Sequence, residues 1–333
     1  MNAQEHFGRY TLVEKIAVGG MGELYLAQQA GASGDLEKVV VKRIRPELVH
    51  DPQFVEMFLN EGRLASMFRH PNIVEIYELG RVDDTYFMAM EYVPGQNLGD
   101  ILDRLGGPLD VGLALHIIVE VCAGLSAAHE ARDDEGRAMR LVHRDISPPN
   151  VLISFDGGVK LTDFGIAKVA RQQQQTRAGV LKGKFAYLSP EQSLGEPIDR
   201  RSDIYALGLV LFEATVGCRA NPGAAEVEQI YASSQGRVLK PSLEDPRYPP
   251  DLERIFFKAT ALAPRDRYEN AREMQRDLED FMELRGTSVS RADVGAFLCE
   301  TFPEKARAAG VVFHEPEAPP SVNFPTSPTD MRF

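Results

Sequence analysis

The segment Leu141–Ile153, with the sequence LVHRDISPPNVLI, constrains the fold and the chemistry of this chain more than any other. Within it, Asp145 lies five residues before Asn150, and an apolar, strand-like run begins directly after the asparagine. One carboxylate and one amide on a short loop suit a site that accepts a hydroxyl proton and supplies an oxygen ligand to Mg²⁺. If these residues stood alone, a capped turn would explain them equally well.

Other segments surround this loop in a particular order. Asp163-Phe164-Gly165 follows Asn150 by thirteen residues at the end of an apolar strand, and a glycine-rich hairpin and a lysine in a valine-rich strand precede the loop. Over about residues 9–285 this order resembles the eukaryotic-like bacterial protein serine/threonine kinases. The resemblance implies an α+β, bilobal protein kinase fold, in which a small antiparallel-sheet lobe with one helix lies over a larger, mainly helical lobe.

The 333 residues, 44% of them hydrophobic, are enough to bury a sizeable core. We expect five parts in order along the chain: an N-terminal extension (1–8), the small lobe (9–93), the large lobe (94–285), an additional helical segment (286–309) and a disordered proline-rich tail (310–333).

The charge of the chain limits its partners. The formal net charge is −12, which argues against electrostatic binding to nucleic acid or to anionic lipid. The apolar runs 111–128 and 204–217 are interrupted by Glu120 and Glu213 or are too short to span a bilayer, and we expect them to be buried core helices. With a polar N-terminal stretch, these features predict a cytoplasmic protein that binds neither nucleic acid nor membrane.

The three cysteines, Cys122, Cys218 and Cys299, are far apart and have no metal-ligand spacing. We expect them to be buried thiols in a reducing cytosol, without a redox role.

A glycine-rich turn, 17–22, joins two predicted strands, Tyr10–Ile16 and Glu23–Gln28. Glycines there would let backbone N–H groups approach a polyphosphate closely, although a plain hairpin turn would have the same sequence. The kinase pattern begins this turn with a glycine, whereas this chain has Ala17, whose methyl group would stiffen the loop.

Lys42 and Glu61 are predicted to form a buried ion pair. Lys42 shares a strand face with Val40 and Ile44, so its ammonium group needs an anion or water. Glu61 lies on the inward stripe of a helix that Asp51 is expected to cap, where a lone carboxylate would cost several kcal/mol. A solvated surface acid is the alternative interpretation of Glu61.

The resemblance assigns a role to each of these residues. Asp145 would orient the substrate hydroxyl and receive its proton, Lys42 would hold the α- and β-phosphates of ATP, and Asn150 and Asp163 would hold Mg²⁺, or Mn²⁺ in its place. The catalytic residues that we predict are Lys42, Glu61, Asp145, Asn150, Asp163 and Lys184. The predicted nucleotide-binding residues are Ile16, Ala17, Val18, Gly19, Gly20, Met21, Gly22, Glu23, Leu24, Val40, Lys42, Met90, Glu91, Val93 and Leu152.

Two positions depart from the serine/threonine kinase pattern. Ser147 stands where a lysine two residues after the catalytic aspartate is usual, and Lys184 stands where a threonine after glycine is usual. We hypothesise that Lys184 supplies the positive charge missing at position 147; alternatively, Ser147 slows the enzyme and Lys184 contacts substrate. The departures also leave open a nucleotide-binding pseudokinase and a kinase specific for tyrosine.

The segment 165–190 carries five basic residues and no acidic one. Thr176 is the hydroxyl residue within it that precedes the substrate loop, and a phosphate there would meet these charges and Arg144. We expect phosphorylation of Thr176 to activate the enzyme, with an inert loop as the alternative. The basic run favours protein substrates that are acidic or already phosphorylated, and autophosphorylation in trans would involve a homodimer.

Several residues are expected to build structure around the site. The resemblance pairs Glu191 with a buried Arg267, and His143 and Phe164 are expected to pack rather than react. Asp203 precedes an apolar run and is expected to cap that helix, while the resemblance adds hydrogen bonds from Asp203 to the loop around Asp145.

Overall fold

The computed structural model describes residues 5–31, 34–133, 135–164, 184–221, 223 and 225–311. Thr176 and most of the predicted tail therefore lie outside the described residues. Within them the chain forms a small lobe built on one sheet and a larger lobe built of helices, and the predicted bilobal fold is confirmed.

The small lobe is an antiparallel sheet of six strands in the order β1-β2-β3-β4-β6-β5. Its strands are β1 (Glu5–Phe7), β2 (Tyr10–Val18), β3 (Gly22–Ala30), β4 (Leu36–Ile44), β5 (Ile76–Val82) and β6 (Thr85–Glu91). Side chains alternate along β4 between two apolar clusters. Val39 and Val41 pack with Tyr10, whereas Val40 and Ile44 pack with the helix α1 (Pro52–Ala65). The predicted shared face of Val40, Lys42 and Ile44 therefore lies toward that helix.

The helix α1 (Pro52–Ala65) packs on the sheet. Asp51 caps it as predicted by accepting a hydrogen bond from the Gln53 amide, and Pro52 occupies the first turn, where no backbone donor is needed. A Cβ on Gly62 would lie 2.7 Å from a methyl group of Leu79, so this glycine lets the helix approach β5 closely.

The large lobe is organised around two buried helices, α3 (Val111–His129) and α5 (Arg200–Val216). The remaining helices are α2 (Leu98–Leu105), α4 (Pro190–Leu194), α6 (Glu226–Ser234), α7 (Pro241–Glu244), α8 (Pro250–Ala259), α9 (Ala271–Leu284), α10 (Arg291–Thr301) and α11 (Pro303–Ala308). Of the helices in the described ranges, only α3 is long and apolar enough to cross a membrane. It packs within the core against α5 and α9, as we expect of a core helix.

A second sheet, β7 (Gly95–Asn97), β8 (Val151–Ser154) and β9 (Val159–Leu161), lies between the lobes. Its strands are antiparallel, and β8 starts immediately after the turn Pro148–Asn150. β9 ends two residues before Asp163, so the sheet brings the two polar loops of the sequence to one edge.

Two expectations about single residues are wrong. Asp203 does not cap α5: the helix begins at Arg200 with Asp199 as its cap, and Asp203 is a fully buried residue of the first turn. Cys218 is exposed, because it follows the helix end at Gly217, whereas Cys122 and Cys299 are buried as expected.

Candidate active site

Three charged side chains from distant segments meet between the lobes. The Lys42 ammonium lies 2.7 Å from a Glu61 carboxylate oxygen and 2.7 Å from a carboxylate oxygen of Asp163. The side chains of Lys42 and Glu61 are only 10% and 9% exposed, whereas that of Asp163 is 36% exposed. The lysine thus joins α1 to the loop that follows β9.

The two carboxylates keep Lys42 charged. Burial lowers the pKa of Lys42, but the opposite charges of Asp163 and Glu61 outweigh burial and raise the pKa above its usual range. An ammonium group held in this way can meet phosphate oxygens at any physiological pH.

Asp203 holds the loop around Asp145 from inside the large lobe. Its two carboxylate oxygens accept the backbone N–H groups of His143 and Arg144, each at 2.7 Å, and His129 Nε2 lies 2.8 Å away. Arg144 has a φ of 68°, an unusual conformation for a residue with a side chain. The buried carboxylate stabilises this strained turn, and the hydrogen bonds that the resemblance implied are present.

Asn150 and Asp163 lie on adjoining backbone segments. The side-chain amide nitrogen of Asn150 donates to the carbonyl of Asp145 at 2.7 Å, which leaves the amide oxygen for a cation. The Thr162 amide donates to the Asn150 carbonyl at 3.1 Å, which fixes the second loop beside the first. Asp163 has a φ of 54°, so its backbone is also strained at the site.

Phe164 and His143 pack together, as expected. The Phe164 side chain is buried, stacks on Phe68 with ring centroids 5.3 Å apart, and contacts the His143 ring at 4.5 Å. His143 Nε2 lies 3.1 Å from the carbonyl oxygen of Thr162. Phe164, the residue after Asp163, is therefore anchored in an apolar cluster.

The glycine-rich hairpin is tighter than the sequence predicted. β2 continues to Val18, because Ala17 and Val18 pair with Leu24 and Glu23 of β3; the turn is therefore confined to residues 19–21. The Gly19 amide donates to the Gly22 carbonyl at 2.8 Å across this turn. The placement of Ala17 and Val18 in the turn was thus wrong, since the strand register incorporates both.

Six of the predicted nucleotide-binding residues belong to one apolar cluster. Val40 and Met90 are buried in it, and Met21, Leu24, Val93 and Leu152 pack against them. Met90 also lines a small cavity of about 10 Å³ that reaches Glu61 and Asp163, which places it at the back of the site. Ile16 and Val18 are about half exposed at the entrance.

The side chain of Glu23 is committed to other partners. Its carboxylate accepts from Lys15 at 2.8 Å, Tyr25 at 2.9 Å and Arg43 at 3.1 Å. Burial raises the pKa of Glu23, but these donors outweigh burial and lower it to about 2. Glu23 can therefore contribute only its backbone to a ligand.

The connection between the lobes contains a salt bridge that sequence reasoning missed. Lys160 of β9 lies 2.9 Å from the carboxylate of Glu91, which also accepts the Glu75 amide at 3.2 Å. A lysine in an apolar strand three residues before Asp163 was the available signal. The pair joins the start of the lobe connection to β9, the strand that precedes Asp163.

A buried ion pair anchors the segment that contains α4. Arg267 donates to both carboxylate oxygens of Glu191, at 2.7 and 2.8 Å, as the resemblance implied. Gln192 donates to the Arg144 carbonyl at 3.2 Å and completes a capping box with Ser189. The helix α4 is therefore tied to the loop around Asp145.

The structure describes the side chain at one of the two positions that depart from the kinase pattern. Ser147 is buried, and its hydroxyl lies 3.4 Å from the Asp145 carbonyl. Lys184 begins a short helical turn, Lys184–Tyr187, but its side chain lies outside what the structure describes.

The residues fit ATP and a hard divalent cation. Carboxylate and amide oxygens are the ligands that Mg²⁺ prefers, and Mg²⁺ keeps water and phosphate oxygens in its remaining positions. No cluster of three His, Cys, Asp or Glu side chains suited to a metal occurs in the described part of the chain. The lysine and the glycine hairpin provide the positive charge and the backbone donors that a polyphosphate needs.

The comparison with known families decides the identity of the fold. The family model described as the protein kinase domain matches residues 10–282. The chain belongs to the protein kinase domain family. The resemblance read from the sequence is confirmed, and the family is one of ATP-dependent protein kinases.

Three similar proteins illustrate the range of this family. Tyrosine-protein kinase MasK of Myxococcus xanthus is 41% identical over 305 residues, and serine/threonine-protein kinase PrkC of Bacillus subtilis is 37% identical over 272. The matches cover 90% and 82% of this chain but only 47% and 40% of those proteins. The crystal structure of the Mycobacterium tuberculosis PknI kinase domain superposes with a TM-score of 0.62 at 27% identity, covering 84% of this chain and 98% of that domain.

Proposed function

We propose that this kinase domain transfers the γ-phosphoryl group of ATP to serine or threonine hydroxyls of protein substrates, with Mg²⁺ as cofactor. The observation that carries the proposal is the contact of Lys42 with both Glu61 and Asp163, each at 2.7 Å. An ammonium group buried between the lobes and adjacent to a metal-binding carboxylate has the geometry required to hold a metal-bound triphosphate.

Each residue has a role in the proposed reaction. Lys42 holds the α- and β-phosphates, and Glu61 keeps the lysine in place. Asn150 and Asp163 would hold the divalent cation, which would supply positive charge to the phosphates. Asp145 orients the acceptor hydroxyl and receives its proton as the bond from the acceptor oxygen to the γ-phosphorus forms. The bond from that phosphorus to the β-γ bridging oxygen breaks in the same step, and ADP leaves. Because phosphoryl transfer depends on positioning and charge stabilisation, the rigid bonding of the Asp145 loop to Asp203 supports this assignment.

Tyrosine is the second candidate acceptor. PrkC carries the name of a serine/threonine kinase, whereas MasK carries that of a tyrosine kinase, and Ser147 and Lys184 both depart from the serine/threonine pattern. The test is to incubate the protein with γ-labelled ATP, Mg²⁺ and a protein substrate, and to identify the labelled amino acids. Labelled phosphoserine or phosphothreonine supports the proposal, and labelled phosphotyrosine would show that tyrosine is the acceptor instead. If the protein transfers no more label than the Asp145→Asn variant, it is a pseudokinase.

The charge-relocation hypothesis predicts the behaviour of three variants. If Lys184 supplies the charge missing at position 147, Lys184→Thr should lower kcat by about 10²- to 10³-fold. Adding Ser147→Lys to that variant should restore much of the rate, because the ammonium returns near Asp145. Steady-state kinetics of both single variants and the double variant measure this. A double variant no faster than Lys184→Thr alone rejects the hypothesis.

Phosphorylation of Thr176 is proposed to activate the enzyme. In support, Nε of Arg144 is buried without a hydrogen-bond partner among the described residues, and burial lowers the pKa of Arg144 despite the nearby charge of Asp203. A phosphate would supply the missing anion. Thr176→Ala should therefore be at least about tenfold less active than the phosphorylated parent, and phosphatase treatment should reduce the parent to the same level. If Thr176→Ala is fully active, the activating phosphorylation occurs at another residue.

The basic residues of segment 165–190 support acidic or phosphorylated protein substrates. We also propose that one copy of the chain phosphorylates another, through a transient homodimer. Label appearing on the inactive Asp145→Asn chain when it is mixed with the active parent would demonstrate this reaction in trans.

A further inference from the structure

A helical segment follows the part of the chain that matches the kinase family. The match ends at residue 282, and residues 287–309, here called the brace, contain α10 and α11. The brace is part of the large-lobe core, since its residues Val294, Leu298, Cys299 and Ala306 are almost fully buried there.

The brace packs very closely against the turn Phe155–Gly158, which joins β8 to β9. A Cβ on Gly295 would lie 2.9 Å from the Phe155 carbonyl oxygen, and a Cβ on Gly157 would lie 1.7 Å from the Arg291 carbonyl oxygen. The Cys299 thiol donates to the Phe155 carbonyl at 3.5 Å. Backbone therefore packs directly on backbone at this contact.

An ion pair strengthens the same contact. The Arg291 guanidinium donates to a carboxylate oxygen of Asp156 at 2.5 Å and to the Asp156 carbonyl at 3.2 Å. Both side chains are more than half exposed, so we attribute the positioning mainly to the close backbone packing and not to this pair.

The other side of this turn holds the connection between the lobes. The Phe155 amide donates to the Pro94 carbonyl at 2.9 Å, and Gly95 pairs with Ser154. The brace also reaches this connection directly, because Lys305 donates to the side-chain oxygen of Gln96 at 2.7 Å. The turn is thus held between the brace and the lobe connection.

The strand β8 connects this contact to the nucleotide site. It begins directly after Asn150, carries Leu152 of the apolar nucleotide cluster, and ends at the turn that α10 contacts. We propose that the brace positions β8 and the lobe connection for nucleotide binding, with Gly295 and Lys305 as positioning residues. The inference rests on the proposed nucleotide site but not on phosphoryl transfer.

Two leucine substitutions on one helix test this role. Gly295→Leu forces a side chain against the turn, whereas Ala296→Leu adds the same side chain at the neighbouring, exposed position. Titration calorimetry with ATP and Mg²⁺, well below the unfolding temperature of each protein, should show binding about tenfold weaker for Gly295→Leu, as for a site that is competent in about a tenth of the molecules. Ala296→Leu should bind ATP like the parent.

If the brace only stabilises the large lobe, we expect a different result. The melting temperature of Gly295→Leu would then fall while the dissociation constant for ATP of the folded protein stayed at the parental value, and the proposal would be overturned. If the parent binds ATP but transfers no phosphate, the proposed activity fails while this comparison of dissociation constants still decides the role of the brace.

Lys305 provides the test should Gly295→Leu fail to fold. Lys305→Met keeps the length of the side chain at an exposed site and removes the donor to Gln96, and we expect ATP binding about threefold weaker with an unchanged melting temperature. Lys305→Arg, which keeps a donor, should restore binding. If Lys305→Met binds ATP with parental affinity, Lys305 does not position the nucleotide site. If a folded Gly295→Leu binds ATP with parental affinity, the brace has no role in nucleotide binding.

Discussion

Replacing Asp163 with asparagine is expected to lower kcat by at least about 10²- to 10³-fold and to leave the protein folded. The variant loses a charged oxygen ligand for Mg²⁺ and one of the two carboxylates that hold Lys42 at 2.7 Å. Glu61 remains to pair the ammonium, so the fold should survive. We also expect ATP affinity to lose most of its dependence on Mg²⁺, because the principal charged metal ligand is gone.

Transfer of labelled phosphate and ATP titrations with and without chelator measure both effects. Asp251→Asn is a suitable control, since Asp251 is exposed at the start of α8, away from the site. Parental transfer by Asp163→Asn, with an unchanged response to Mg²⁺, would show that the metal is held by other residues.

Replacing Arg267 with methionine is expected to reduce the free energy of unfolding by about 3–5 kcal/mol. The Arg267 side chain is completely buried, and its guanidinium bonds both oxygens of Glu191 and three backbone carbonyls, of Arg201, Ala261 and Leu262. Methionine fills much of the volume but leaves the Glu191 carboxylate buried without its cation, although the Ser202 hydroxyl still donates to it at 2.5 Å. An uncompensated buried charge is the source of the loss.

Chemical denaturation of three variants separates this effect from general damage. Arg272→Met removes an exposed pair with Glu130, at 3.6 Å, and should change stability by no more than about 1 kcal/mol. Adding Glu191→Gln to Arg267→Met should recover part of the loss, because the unpaired charge disappears. A loss below about 1 kcal/mol for Arg267→Met alone would contradict the assigned role.

The same pair makes stability depend on pH. Burial raises the pKa of Glu191, but its bonds to Arg267 and Ser202 outweigh burial and lower the pKa below its usual range. The contribution of Glu191 is therefore complete above the ordinary pKa of a glutamate and is lost as the pH falls through the lowered pKa.

The contact between Lys42 and Glu61 was predictable from local rules. Strand alternation placed the lysine among apolar side chains, helical spacing placed the glutamate on the inward stripe of α1, and the desolvation penalty required a partner for each charge. The contact of Lys42 with Asp163 was not predicted, because no local pattern relates residues 121 positions apart. The resemblance assigned Asp163 only to the metal site.

Asp203 shows where local rules fail. A polar residue before an apolar run satisfies the rule for a helix cap, but Asp199 already caps α5 four residues earlier. What places Asp203 inside the lobe is a set of backbone donors on the loop at residues 143 and 144, and these lie about 60 positions away in sequence. Lys160, the partner of Glu91, lies 69 positions away in sequence, and Lys305, the partner of Gln96, lies 209 positions away. For that reason neither contact was predicted.

A crystal structure of the protein with Mg²⁺ and a non-hydrolysable ATP analogue tests most directly whether one metal-bound triphosphate unites these residues. We expect the Lys42 ammonium to contact the α- and β-phosphates, and Asn150 and Asp163 to ligate the cation at about 2.0–2.1 Å. The analogue should lie under the glycine hairpin with its γ-phosphate facing Asp145. A nucleotide bound elsewhere, or a cation that neither Asn150 nor Asp163 touches, would contradict the kinase mechanism proposed for this chain.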